Sequence, residues 1–292
     1  MALKVSRDKF RNADKFTSVR ALLMRTTVTA LVSASALLIP ALPASSLASF
    51  TNPYSGSGYD VSYPQCSNNT PYTADEFAII GIGDGRPFST NPCIGALWSR
   101  ALGATATSFS IYINTGNSGA YGKDITSDCA TGVPSIYTTR QSQQSWEIGC
   151  SEADYAFKAA LNAGVNPNAP SSSTYPIGAG MWWADIEQGN SWSANSQLNR
   201  DTIQGLMAEL ATPLNLNFSG EAGLPVGIYS NQSFWDSITG STSTNIFTPT
   251  ASNADWYAGS SCLAFDANPT WVAQYATTGS ASPVGDSDTA CY

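Results

Sequence analysis

Two acidic residues two positions apart are the strongest candidates for chemistry in this sequence. Asp185 and Glu187 follow the apolar stretch 178–184, which includes two consecutive tryptophans. In a β-strand, alternate side chains share one face, so both carboxyl groups would project together where the strand ends. The 292 residues include no histidine. A carboxyl pair without histidine suits acid/base chemistry.

The absence of histidine narrows the reaction class. Ser-His and Cys-His hydrolases and histidine-ligated zinc are excluded, which leaves carboxylate chemistry or a hard metal bound by oxygen. Glycoside hydrolysis needs only carboxyl groups, one to protonate the leaving oxygen and one to activate water or stabilise the oxocarbenium-like centre. Crowded carboxylates and the apolar Trp183 would raise the pKa of at least one of them.

The elements that must position this pair alternate along the chain. Strands are predicted at 58–62, 77–82, 108–113, 175–187, 225–230, 255–259, 270–275 and 285–292, and helices at 94–102, 151–163, 199–210 and 232–239. The second helix is predicted to open with a capping box from Ser151 to Asp154. Strands that alternate with helices are typical of parallel strands joined by right-handed crossovers.

Two α/β architectures fit this alternation, an open doubly wound sheet and a closed barrel. The glycines at 81, 83 and 85 are followed by Arg86 and Pro87, which suits a phosphate-binding helix start poorly. We therefore predict a single TIM-type β/α barrel, regular or irregular, over residues 49–292. Its strand 175–187 would turn residues 180, 182, 184 and 186 towards helices and residues 181, 183, 185 and 187 into the barrel.

Residues 1–48 are predicted to be a secretory signal peptide. They combine seven Lys/Arg residues, an apolar stretch at about 29–42, and small residues at 46–48. A membrane anchor is disfavoured because the apolar stretch is short and Pro40 and Pro43 interrupt it. Removal leaves 13 − 7 = 6 basic and 21 − 2 = 19 acidic residues, a net charge of −13. This charge disfavours binding to nucleic acid or to an anionic membrane, and we expect an extracellular protein.

All six cysteines lie beyond residue 48. An even number in an exported chain, without a C-x-x-C pair, favours disulfides over zinc or redox chemistry. Of the fifteen possible pairings, we predict the one between sequence neighbours: Cys66–Cys93, Cys129–Cys150 and Cys262–Cys291.

Acidic residues recur at the predicted carboxyl ends of strands, where a barrel places its chemistry. Besides the pair they include Asp60, Asp84 and the Asp286/Asp288 segment. Asp84, Asp255 and Asp266 are expected to be solvated, or to serve caps and turns. Six tryptophans also lie at or near strand ends, namely Trp182, Trp183, Trp192, Trp235, Trp256 and Trp271. Indole faces can stack on sugar rings, although a single tryptophan is more often part of the core.

Several motifs together resemble one family. The segment Gly58-Tyr-Asp60-Val-Ser62-Tyr-Pro-Gln65 and the segment Ala184-Asp185-Ile186-Glu187 resemble two strands of glycoside hydrolase family 25, the lysozyme-like N-acetylmuramidases. Segments 77–80, 226–230, 256–258 and 271–275 resemble further strands of that family in the same order.

The resemblance implies an incomplete or distorted (β/α)₈ barrel that cuts peptidoglycan glycan at the N-acetylmuramyl bond. Glu187 would be the general acid/base, and Asp185 would hold a water or the acetamido group of the substrate. Asp60 and Asp288 would line the same pocket. We expect substrate contacts from Trp183, Tyr229, Trp256, Trp271 and Gln274. A polysaccharide substrate, no cofactor or metal, and a monomer complete the expectation.

Two departures from the family leave the substrate open. Asn114 stands where the family usually has histidine at the end of its third strand, and the loop 83–87 differs. The chain could therefore be a divergent branch with another glycan. A catalytically silent barrel that binds cell-wall glycan is the alternative function. An esterase or deacetylase with a carboxylate-bound metal is weaker, because no histidine ligand is present.

Overall fold

The structure is a computed structural model that describes residues 51–67, 76–103, 108–165, 181–211, 225–240, 254–276 and 285–292. The predicted signal peptide at 1–48 lies outside the described residues. Eight strands close into one barrel in sequence order, which confirms the predicted α/β barrel. They are β1 Ser57–Val61, β2 Phe77–Gly81, β3 Ser108–Asn114, β4 Trp182–Asp185, β5 Val226–Ser230, β6 Ala254–Tyr257, β7 Thr270–Ala276 and β8 Asp286–Ala290.

The barrel departs from a regular one at its last strand. β1 to β7 pair in parallel, whereas β8 is antiparallel to both β7 and β1. The expectation of parallel strands is therefore wrong for β8. Only residues 277–285 connect β7 to β8, and a parallel crossover usually needs a dozen or more residues.

Five α-helices surround the described strands: α1 Ile94–Gly103, α2 Ser127–Thr131, α3 Arg140–Asn162, α4 Ser196–Ala211 and α5 Gln232–Thr239. Among the described residues, no helix is long and apolar enough to cross a membrane.

Helix α3 begins eleven residues before its predicted start. Its N-cap is Thr139, whose side chain accepts a hydrogen bond from the amide of Ser142 at 3.1 Å. The capping box predicted at Ser151 is wrong, because the Ser151 hydroxyl donates instead to the Glu147 carbonyl inside the helix, at 2.7 Å. The polar segment 141–145 hides the helical pattern from a hydrophobicity argument.

The core has two layers, one between strands and helices and one inside the barrel. On β4 and just beyond it, Trp182, Ala184 and Ile186 belong to the outer layer, while Met181 and Trp183 lie in the inner one. This alternation confirms the predicted faces of the strand. Hence Asp185 continues the inner face towards the carboxyl end of the barrel.

Glycine makes room for the large rings inside the barrel. A Cβ atom added to Gly227 would overlap the Trp183 ring, and one added to Gly81 would overlap Tyr112. Close packing leaves no space for both side chains. Aromatic rings thus fill the barrel beneath its polar carboxyl end.

All three predicted disulfides are present. Cys66–Cys93, Cys129–Cys150 and Cys262–Cys291 have Cα–Cα distances of 5.6, 5.7 and 5.8 Å. The third ties the β6–β7 connection at residues 258–269 to the C-terminus. This connection contains no helix.

Candidate active site

A cavity of about 230 Å³ opens at the carboxyl ends of the strands. We call it the acid cavity, because four of its eight lining residues are acidic and none is basic. The lining residues come from seven parts of the barrel wall: Asp60, Tyr112, Asp185, Glu187, Tyr229, Trp256, Gln274 and Asp286.

The antiparallel pairing of β1 and β8 sets the depth of three acids. Asp60 lies opposite Asp286, and Gly58 lies opposite Asp288. Cross-strand partners face the same side, so Asp60 and Asp286 lie side by side at the cavity. Asp288 is one layer deeper and fully buried. The expectation that Asp288 lines the pocket is wrong, and Asp286 takes that place.

Asp288 supports the cavity from below. Its Oδ1 accepts a hydrogen bond from the Trp256 indole at 3.0 Å. Burial raises the pKa of Asp288 well above its usual value, and the nearby Asp60 raises it further. Both effects favour the protonated form of Asp288.

Asp60 is held by a chain of hydrogen bonds that crosses the barrel. The Tyr229 hydroxyl donates to Gln274 Oε1 at 2.8 Å, and Gln274 Nε2 donates to Asp60 Oδ2 at 2.9 Å. Burial raises the pKa of Asp60 to about 7, with a contribution from the charge of Asp286, while the hydrogen bonds act in the opposite direction. The hydrogen bond from Gln274 stabilises a negative charge on Asp60.

Asp185 is buried and contacts a residue that the sequence analysis treated only as a departure. Its Oδ2 accepts a hydrogen bond from Asn114 Nδ2. Burial raises the pKa of Asp185 well above its usual value, and the charges of Glu187 and Asp60 raise it further. Burial and these charges favour the protonated form of Asp185, while the hydrogen bond from Asn114 acts in the opposite direction.

Glu187 lies just beyond β4 and is partly exposed, unlike Asp60 and Asp185. Its backbone carbonyl accepts a hydrogen bond from the Trp192 indole at 2.8 Å, which fixes this part of the loop. Burial raises the pKa of Glu187 above its usual value. Glu187 is therefore in contact with solvent and stays protonated to a higher pH than an ordinary glutamate.

Aromatic residues form the walls of the acid cavity. The Trp256 ring lies 4.5 Å from the Tyr229 ring and 6.1 Å from the Tyr112 ring, centroid to centroid. Trp256, Tyr229 and Gln274 line the acid cavity, and their contact with substrate stays a prediction.

Two tryptophans that were expected to contact substrate do not reach the cavity. Trp183 is fully buried, and its indole donates to the Tyr54 hydroxyl at 2.8 Å. Trp271 is 6% exposed and belongs to the same inner cluster. For both residues the prediction is wrong. Trp183 shares a face with Asp185 but lies one layer deeper, where the barrel is packed solid.

Asp60, Asp185 and Glu187 take no part in the ion pairs found among the described residues. Those pairs are Arg86–Asp84, Arg140–Glu147 and Lys158–Asp154. At the start of α4, Asn195 Oδ1 accepts from the amide of Gln197 at 3.0 Å, so neither Asp185 nor Glu187 caps that helix.

The acids are also not arranged as a cage for a cation. In the described part of the chain, the one group of three Cys or acidic residues whose ligand atoms converge within 4.8 Å is Cys129, Cys150 and Glu209. Its two cysteines form a disulfide. The carboxylate-metal alternative thus gains no support from the geometry of the acid cavity.

Sequence reasoning missed Tyr112, Asn114 and Asp286. Tyr112 and Asn114 alternate on β3 and face the barrel interior, a signal that the period of two contains. Asp286 could be separated from Asp288 only by the antiparallel register of β8, which a short strand does not reveal.

Comparisons with known proteins gave structural likenesses only. No protein-family model matches the sequence, and no curated protein sequence does either. A muramidase from Acremonium alcalophilum is 15% identical with a TM-score of 0.48, covering 81% of this chain and 93% of that one. The catalytic domain of an endolysin from a Listeria monocytogenes bacteriophage is 12% identical with a TM-score of 0.43, covering 82% and 95%.

A third similar structure is the modular Cpl-1 endolysin complexed with a peptidoglycan analogue. It is 14% identical with a TM-score of 0.38, and the match covers 81% of this chain and 54% of that one. At this level of identity we take nothing about the reaction from the likenesses.

Proposed function

We propose that the protein is a lysozyme-like glycoside hydrolase that cleaves the β-1,4 glycan of peptidoglycan at the N-acetylmuramyl bond. It would act outside the cell as a monomer, after removal of residues 1–48. One observation carries the proposal. Asp60, Asp185, Glu187 and Asp286 line a single cavity at the carboxyl end of the barrel, and none of the described residues that line it is basic. Glycoside hydrolysis is a reaction that carboxyl groups alone can perform.

Glu187 is the general acid of the proposed reaction. It is partly exposed at the rim, and burial of the remainder raises its pKa. Glu187 donates its proton to the glycosidic oxygen as the bond to the anomeric carbon breaks, and the bonding electron pair stays on the leaving oxygen. A carboxyl group in a partly apolar setting is suited to this role near neutral pH.

Asp60 supplies the negative charge. Gln274 donates a hydrogen bond to it at 2.9 Å, which favours its ionised form. In the proposed reaction its carboxylate stabilises the positive charge that develops at the anomeric carbon. Water then adds to this carbon and releases a proton to a carboxylate of the cavity.

Asp185 positions the substrate rather than breaking the bond. In its protonated form, which burial favours, it donates a hydrogen bond to the acetamido carbonyl of the sugar or to a bound water. Asn114 holds the other oxygen of Asp185 and so sets the direction of that proton. Trp256 and Tyr229 provide apolar walls for the sugar ring.

The proposal is tested by measuring release of reducing ends from purified peptidoglycan and from chitin oligomers. Wild type should release them from peptidoglycan, and Glu187→Gln should lower the rate at least about 100-fold, because a general acid contributes that much or more. Glu76→Gln is the matched control, since Glu76 is exposed and precedes β2 at the other end of the barrel. An active Glu187→Gln protein would refute the assignment of the acid.

A silent wall-binding barrel is the second candidate function. Asn114 favours it, because this residue replaces the histidine usual in the resembled family. Wild-type protein that sediments with purified walls but releases no reducing ends would establish this candidate. The four carboxyl groups of the acid cavity argue for the enzyme.

A further inference from the structure

A second cleft of about 340 Å³ lies among the loops that follow β3 and β4. Amide and hydroxyl side chains dominate its lining, including Asn117, Gln141, Gln144, Ser145 and Ser191, together with Trp192. We call it the amide cleft. Among the described residues, neither an acidic nor a basic side chain lines it, in contrast to the acid cavity.

The amide cleft adjoins the acid cavity through a shared loop. Trp192 lines the cleft, and its indole donates to the carbonyl of Glu187 at 2.8 Å. Glu187 in turn lines the acid cavity. A ligand in the cleft would therefore contact Trp192, which is hydrogen-bonded to the backbone carbonyl of Glu187, the acid that lines the neighbouring cavity.

The wall between the two loops is closely packed. The backbone N–H of Asn117 donates a hydrogen bond to the backbone carbonyl of Ser191 at 2.7 Å. A Cβ atom added to Gly116 would lie 2.7 Å from the same carbonyl and 3.2 Å from Pro87 Cγ. Because a side chain larger than that of glycine would separate the loops, their spacing is fixed by the sequence. The cleft thus has a preformed edge.

Hydrogen-bonding groups in the amide cleft remain available to a ligand. Asn117 Nδ2 donates to the Ser145 hydroxyl at 3.1 Å, which leaves its carbonyl oxygen for another donor. The side chains of Gln141 and Gln144 make no hydrogen bond to another described residue, although both line the cleft. Each amide offers two donors and one acceptor group.

This lining defines the class of ligand. Neutral amides, hydroxyls and an indole fit a neutral ligand that carries hydroxyl and amide groups around an apolar ring face. Resting on the proposed function, we propose that the amide cleft binds an uncharged N-acetylhexosamine unit of the same glycan, adjacent to the bond that is cleaved. The carboxylates of a peptide stem suit it poorly, because the cleft offers no cation and residues 49–292 carry a net charge of −13.

The test compares two ligands that differ in length. Peptide-free disaccharide and tetrasaccharide of alternating N-acetylglucosamine and N-acetylmuramic acid are titrated into full-length Glu187→Gln protein by calorimetry. Occupation of the second cleft should make the tetrasaccharide bind at least about tenfold more tightly, the size of one or two good hydrogen bonds.

The deciding variant adds Gln141→Ala and Gln144→Ala to this protein. Tetrasaccharide affinity should fall about tenfold, while disaccharide affinity stays unchanged. Gln232→Ala is the matched control, since Gln232 is an exposed glutamine at the start of another helix, α5. Unfolding temperatures show whether the variants are folded.

Failure of this inference and failure of the proposed function are distinguishable. Equal tetrasaccharide affinity in the parent and the double variant, or no binding of either oligomer, overturns the cleft assignment whatever the turnover of wild type. A length-dependent affinity that the double variant loses supports the cleft even if wild type shows no turnover.

Discussion

Two groups of acids with raised pKa values differ in what surrounds them. In the acid cavity, Asp60, Asp185 and Glu187 meet an opening to solvent. Asp255 on β6 is fully buried outside that cavity, beside Asp266. Burial raises the pKa of members of both groups, and the pKa of Asp255 reaches about 9.

The Asp255 pair has a structural explanation. Asp255 Oδ2 accepts from the Phe265 amide at 3.3 Å, and Asp266 Oδ1 accepts from the Asn268 amide at 2.6 Å. Phe265 packs on Trp235 of α5 at 5.6 Å between ring centroids. The pair thus anchors the helix-free connection 258–269 against the barrel. A raised pKa therefore indicates burial, whereas access to a cavity identifies the candidate site.

The largest expected difference is in activity, between an Asp→Asn change in the acid cavity and the same change at Asp255. Asp60→Asn removes the proposed negative charge at the reaction centre and should lower kcat/KM at least about 100-fold. Asp255→Asn should leave it within about twofold, since Asp255 is not in the acid cavity. Reducing-end release from peptidoglycan measures both. Similar losses in the two variants would show that buried acids matter here only through folding.

The next contrast concerns the dependence of activity on pH. Glu187 must be protonated to act as the acid, and burial raises its pKa, so kcat/KM should fall as pH rises through that raised value. The slope should approach tenfold per pH unit. Asp255→Asn should show the same alkaline limb. A profile that is flat from pH 4 to 9, or one that Asp255→Asn shifts, would contradict the separation of the two groups.

The smallest contrast is in stability. The pKa of Asp255 is raised from 3.8 to about 9 by burial and by Asp266, so the folded protein keeps a proton that the unfolded chain releases. The contribution of Asp255 to stability is therefore full below pH 3.8 and is lost as pH rises towards 9.

Asp255→Asn should remove this part of the pH dependence. Between pH 5 and 8, wild-type unfolding free energy should fall more steeply than that of the variant, by about 1 kcal/mol per pH unit. Denaturant titrations at three pH values measure the two slopes. Parallel slopes would mean that Asp255 has an ordinary pKa and is not the proton-holding anchor.

Much of the fold follows from sequence patterns. Apolar runs predict several of the strands, although β8 is polar. The alternation on 181–187 correctly separates the outward Trp182 from the inward Trp183. The choice of sequence neighbours among fifteen possible disulfide pairings matches the structure, although the order of cysteines alone does not determine it. The local sequence pattern does not show how deep each side chain lies inside the barrel. A period of two places Trp183 and Asp185 on the same face but does not say where packing ends and the cavity begins.

Pairing register decides the rest of the candidate site. Asp286 and Asp288 share one face of β8, and only the antiparallel register with β1 places Asp286 beside Asp60. Asn114 was noticed as a departure, yet its contact with Asp185 depends on β3 and β4 being aligned with Asn114 opposite Asp185. Asp255 was expected to be a solvated, capping or turn residue, but the connection over β6 buries it.

The central claim, that Glu187 protonates the leaving oxygen, is tested most directly by changing the leaving group. In a peptidoglycan disaccharide that carries a dinitrophenyl group, the dinitrophenolate leaves without being protonated. The leaving oxygen of the natural glycan, in contrast, needs a proton. Glu187→Gln should lose at least about 100-fold in kcat on the glycan and less than about tenfold in bond cleavage on the activated substrate. Equal losses on both substrates would contradict the account, because Glu187 would then act in some way other than as the acid.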